Sequence, residues 1–188
     1  MALNKQLERY LRARSFGSPE GTKEFLQRGY VFHRAKRFYF DEVENANVWS
    51  FYLVERDLHH TFEEFVLSLG LPPYAIWSKH GTNAINAARV TFPISETASI
   101  FRAPVPIAGQ TIEYALEVLH IGNSSAIFGF LGFLHDEDST FAKSPSVAAA
   151  WLRVLVEYSD DDSRTAIRLP DRLKKYLTSF ASRDFMWS

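Results

Sequence analysis

Two sets of carboxylates are placed to do chemistry in this sequence: one just ahead of a helix, the other on a helix's apolar face. The first comprises Asp41, Glu42 and Glu44, followed by Asn45-Ala46-Asn47-Val48-Trp49, where Asn45 or Asn47 is suited to cap the helix that follows. A carboxylate can attack a carbonyl or activate water, and the unpaired N–H groups of a helix's first turn can hold the developing oxyanion. Asp41 or Glu42 is thus a candidate base, and Asn47 with Val48 a candidate oxyanion site. The alternative is that these acids are solvated and only complement the helix dipole.

The second set centres on Glu55. At about 100° per residue, Phe51, Val54, Leu58, Phe62, Phe65 and Leu69 gather on one helix face. Glu55 falls inside that arc, while Asp57, His60 and Glu64 are expected to point elsewhere. Burial there would raise its pKa, a property of functional acids, and His59 stands four residues on, within hydrogen-bonding reach. The structural alternative is an edge-of-face glutamate paired with His59 or Arg56. His33, His80, His120 and His135 follow no metal-ligand spacing, so no metal and no other cofactor is expected. Ser124-Ser125 reads as a turn.

These groups need a scaffold. Leu3, Leu7, Tyr10 and Leu11 recur at helical spacing; Ser18-Pro19 then opens a second short helix through Phe25 and Leu26. Residues 1–28 are expected to form a helical extension and 29–188 the main domain. Tyr30 to Phe40 reads as a strand, followed by the long helix, stopped at Gly70 and Pro72-Pro73. Further strands are expected around Ala84–Phe92, Gln110–Ile121, Ser125–Leu134 and Val147–Tyr158, and Pro170 opens a closing helix through Phe180. Gly129 and Gly132 inside an apolar strand predict close approach of another backbone, the long helix being the natural one. The pattern is α+β, an antiparallel sheet against one long helix. Such a sheet buries one face well, so a homodimer or a dimer of dimers is expected.

Composition narrows the classes. The 188 residues carry a formal net charge of -1, which supplies no field to attract nucleic acid or an anionic membrane. With no cysteine, disulfides and cysteine nucleophiles are excluded. The start, Met1 to Gln6, lacks a signal-peptide stretch and no run approaches membrane-spanning length, so a cytoplasmic location is the simplest reading. Sixteen Phe and four Trp supply bulky packing or an apolar ligand site.

From Tyr30 to Leu177 the sequence resembles the hotdog-fold thioesterases, in particular acyl-CoA thioesterases of the 4-hydroxybenzoyl-CoA type. The resemblance rests on four features in order. They are a strand ending in Phe40-Asp41-Glu42 that leads into the long helix, the extended Phe101-Arg102-Ala103-Pro104 before Gly109, the turn Gly122-Asn123-Ser124-Ser125, and the ending Arg168-Leu169-Pro170-Asp171-Arg172-Leu173. It implies a hotdog sheet wrapped around the helix and hydrolysis of an acyl-CoA or acyl-carrier-protein thioester. Tyr52 stands at the family's helix tyrosine and Glu42, beside Asp41, at its acid. The family's glycine and histidine positions fall on Asn45 and Ala46, and other members carry their acid on the helix, where this chain has Glu55. Arg102, Arg168 and Arg172 are candidates for the phosphates of coenzyme A or of a carrier's arm. The altered loop also suits a non-catalytic hotdog protein binding an acyl or polyketide-like ligand. A dehydratase or hydratase would rely on Glu55 with His59.

Overall fold

The computed structural model describes residues 3–39, 51–69, 90–102, 106, 109–135, 140–159 and 163–187, without the side chains of 51 and 52. Two short helices open the chain, α1 (Leu3–Ala13) and α2 (Pro19–Leu26), and the Ser18 hydroxyl caps α2 by accepting from the Gly21 N–H at 3.2 Å. Strand β1 (Phe32–Arg37) and helix α3 (Phe51–Ser68) follow. Next come β2 (Val90–Thr91), β3 (Ile94–Phe101), β4 (Thr111–Ile121), β5 (Ser125–His135), β6 (Val147–Val154), β7 (Val156–Tyr158) and β8 (Arg164–Ala166). Helix α4 (Asp171–Ser179) closes the chain. Five strands form one antiparallel sheet in the order β1-β4-β5-β6-β3, and β2-β7-β8 form a smaller one. The expected strand over Val147–Tyr158 is broken at Leu155 into β6 and β7, which belong to different sheets. No helix among the described residues is long and apolar enough to cross a membrane.

Strands β4 and β5 are apolar on both faces because both are covered. Ile112, Tyr114, Leu116 and Val118 share a core with α3 and α4, where Phe180 meets Phe65 edge to face at 4.9 Å. Ala115 and Leu119, on the opposite face, pack with Leu7, Tyr10 and Leu11 of α1 and Phe25 of α2. The face expected to be bare is therefore closed by the chain's own N-terminus. Glu117 of β4, fully buried on that side, accepts from both Nε and Nη2 of Arg14 at 2.8 Å and from the Tyr10 hydroxyl at 2.7 Å. Arg14 also bonds Ser182 and Asp184, and Asp184 accepts from Arg28 and Tyr30, which fastens the C-terminal segment over the same face. A Cβ on Gly129 would stand 2.6 Å from Leu119 and 2.9 Å from Tyr10; one on Gly132 would stand 2.6 Å from Val147 and 2.7 Å from Ile112. These glycines thus yield to side chains from α1 and neighbouring strands, not to the long helix as the sequence suggested.

The buried side of α3 is Val54, Asp57, Leu58, Thr61, Phe62, Phe65 and Val66. It is rotated from the arc expected on hydrophobicity alone, and Asp57, expected to point away, is 1% exposed. Its carboxylate accepts from Lys36 Nζ at 2.8 and 2.9 Å and from the Tyr114 hydroxyl at 3.2 Å. Strands β1 and β4 supply both partners, so the charge is compensated where it is buried. Lys36→Met should cost about 2–3 kcal/mol by stranding that carboxylate. Urea denaturation would show it as a lower midpoint at unchanged slope; an unchanged midpoint would mean the pair contributes nothing.

Candidate functional site

Helix α3 crosses the sheet with Asp57 against Lys36 and Tyr114 and its C-terminal half against Phe128, Trp151 and Arg153. Its flank toward Pro93, Ile94 of β3 and Arg153 of β6 carries His59, Phe62, Glu63 and Val66, and Glu55 comes one turn before His59. A cavity of about 550 Å³ opens there. Phe62, Val66, Leu67, Pro93 and Ile94 give it apolar walls, and His59, Glu63 and Arg153 are its polar groups. The size and lining suit a small organic ligand with an apolar body.

Glu55 lies one turn before His59 and is half-buried, with Oε1 fully buried and without a hydrogen-bond partner among the described residues. Burial, with no compensating donor, raises its carboxyl above the usual carboxylate range. The hydrogen bond expected between Glu55 and His59 is not formed. His59 instead lies against Trp151, ring centroids 4.7 Å apart. Its pKa is lowered by burial and by Arg153, and Glu63 opposes the shift, so the neutral imidazole is favoured.

Arg153 is the group that sequence reading missed. It is 9% exposed, with its guanidinium carbon 3.8 Å from the Phe62 ring centroid and Nη1 donating to the Phe92 carbonyl at 2.7 Å. Among the described residues its buried Nε has no acceptor, and neither has Nε1 of Trp151. Burial lowers its pKa to about 10, with Glu63 countering. The available signal was a cation inside an apolar strand, Ala148-Ala149-Ala150-Trp151-Leu152-Arg153-Val154, on the same strand face as Trp151.

Asp41, Glu42, Asn47 and Val48 lie outside the described residues, as does the side chain of Tyr52, which belongs to α3. The three arginines chosen as phosphate contacts are not brought together. Arg168, bonded to Asp171 at 3.3 Å, and Arg172, over the Tyr176 ring, flank the start of α4 near the Asn123 turn. Arg102, whose N–H donates to the Ser146 carbonyl, follows β3 at the far end from Ile94, eight residue steps or roughly 26 Å away.

No protein-family model matches the chain, and no curated protein matches it. Among solved structures it is similar to 4-hydroxybenzoyl-CoA thioesterase from a Pseudomonas species, with TM-score 0.63, 13% identity, and 78% of this chain and 98% of that one covered. It is similar to the Dynemicin thioesterase, with TM-score 0.64, 12% identity, and 81% and 98% covered. It is also similar to a 1,4-dihydroxy-2-naphthoyl-CoA thioesterase from Synechocystis, with TM-score 0.60, 16% identity, and 79% and 96% covered. The chain has the hotdog fold of these proteins. They are spanned almost whole, while about a fifth of this chain has no counterpart in them.

Proposed function

We propose that this hotdog-fold chain is an acyl thioesterase that hydrolyses an acyl-CoA or acyl-carrier-protein thioester, with Glu55 as its base. One observation carries the reading: on the long helix, one turn before the cavity-lining His59, Glu55 holds a buried carboxylate oxygen with no hydrogen-bond partner among the described residues. The fold's likeness to thioesterases gives that carboxylate a reaction. Glu55 takes a proton from water as the water oxygen bonds to the thioester carbonyl carbon. The tetrahedral intermediate expels the thiolate, and Glu55 returns the proton to sulfur. Backbone amides around Asn47 and Val48 are the proposed oxyanion donors, and Arg168 and Arg172, which share the start of α4, are the proposed contacts for the carrier's phosphates. A hydratase would have to use Glu55 and His59 as two separate groups, since they do not bond to each other.

The base must be ionised to act, and burial raises its pKa, so activity should fall as pH drops through a value above the usual glutamate range. A pH profile of kcat/KM checks this. An acid limb at the position of a solvated glutamate would exclude Glu55 as the base. The reading includes a homodimer that continues the sheet along β3, whose Ser95, Glu96 and Thr97 are exposed at the sheet edge. Sedimentation velocity should give twice the chain's mass, and a monomer at micromolar concentration would refute the dimer.

A further inference from the structure

Arg153 poses a problem that the hydrolytic reading does not solve. A cation nine-tenths buried is costly unless an anion compensates it. Among the described residues Arg153 has one hydrogen bond, to a carbonyl, and two aromatic faces, Phe62 at 3.8 Å and Trp151 at 5.2 Å. The stacked Phe62 ring and the Phe92 carbonyl hold the guanidinium plane in place, and its buried Nε has no acceptor among the described residues. The residue borders the cavity, whose other lining is Phe62, Val66, Leu67, Pro93 and Ile94 with the polar His59 and the exposed Glu63, the one carboxylate beside the cation among the described residues.

We propose that the cavity is a binding site for a compact apolar molecule ending in a carboxylate, which pairs with Arg153. The planar guanidinium matches a carboxylate with two parallel hydrogen bonds. A neutral acceptor would leave the charge uncompensated, and a phosphate dianion would meet a single cation among apolar walls. The apolar body packs on Phe62, Val66 and Ile94. Glu63 is exposed on the cavity's wall and weakens the attraction. The carboxylate has two sources, a free acid or the far end of an acyl group already in thioester linkage; the second rests on the thioesterase reading.

Calorimetric titration of the full chain with phenylacetate and its uncharged isostere phenylacetamide tests the site without turnover. The acid should bind at least about tenfold more tightly. Arg153→Lys and Arg153→Gln should both shrink that ratio, and Glu63→Gln should enlarge it. Thermal melts confirm that each variant folds, and the wild-type pair of ligands remains decisive if one does not. Equal binding of acid and amide, or a ratio unchanged in both Arg153 variants, overturns the proposal. A second arm compares hydrolysis of the CoA thioester of a dicarboxylic acid with that of the monocarboxylic acid of equal length. If the acid binds and no thioester is cleaved, the ligand is the free acid and the hydrolytic reading alone fails. If both thioesters are cleaved equally and acid and amide bind alike, the carboxylate site alone fails.

Discussion

Glu55→Gln should lower thioester hydrolysis by about two to four orders of magnitude, the range spanned by a positioned general base. The same substitution should raise the melting temperature at neutral pH. Glu55 is shifted up by burial, so its contribution to stability is full below the unfolded-state pKa and lost as pH rises through the folded-state one. At pH 7 the ionised side chain therefore opposes folding, and glutamine removes that opposition. Because the residue is half-exposed, solvent screening keeps the gain small. A catalytic carboxylate held without a donor should show both effects; a merely structural glutamate paired with a neighbour would lose stability on substitution. Activity assays and melts on one preparation of the variant separate the two cases.

Arg14→Met should be the most damaging substitution away from the cavity. It leaves Glu117, fully buried, with the Tyr10 hydroxyl as its remaining side-chain donor, which destabilises by about 3–5 kcal/mol. For a chain of this size that corresponds to a fall in Tm of roughly 10 °C. The carboxyl of Asp184, held below its usual range chiefly by Arg14 and Arg28, would also lose one of its two cations. Replacing both partners by apolar residues, as in Arg14→Met with Glu117→Leu, should recover most of the loss, because the uncompensated charge is gone. A double variant as unstable as the single one would show that the pair acts through more than charge compensation. The network matters beyond stability, since it joins α1, β4 and the C-terminal segment over the sheet face opposite the cavity.

The parts of the fold legible in the sequence were those written in local periodicity. Leu3, Leu7, Tyr10 and Leu11 announce α1, Ser18-Pro19 announces the start of α2, and the apolar runs through Leu116 and Phe130 announce β4 and β5. Edge strand β3 lacks such a run. Ile94-Ser95-Glu96-Thr97 is polar because it is half exposed, so only its Phe101-Arg102 end read as extended. Features that depend on what crosses the chain were not legible. Asp57 is buried because Lys36 and Tyr114, 21 and 57 positions away, meet it there. Arg14 and Glu117 are separated by 103 positions, and nothing local in either segment signals the pairing. At the site, Glu55 was legible as an acid inside an apolar arc, but its expected partner His59 turned to Trp151 instead. Arg153 was visible as a cation in an apolar strand, yet its value as a cavity group depends on Phe62 and the Phe92 carbonyl.

The most direct measurement is release of free thiol from a panel of aromatic and medium-chain acyl-CoA thioesters by the purified chain, run beside Glu55→Gln. The account predicts turnover of at least one thioester by the wild type and its near-complete loss in the variant. Absence of thiol release above background across the panel, or wild-type rates in Glu55→Gln, would contradict it.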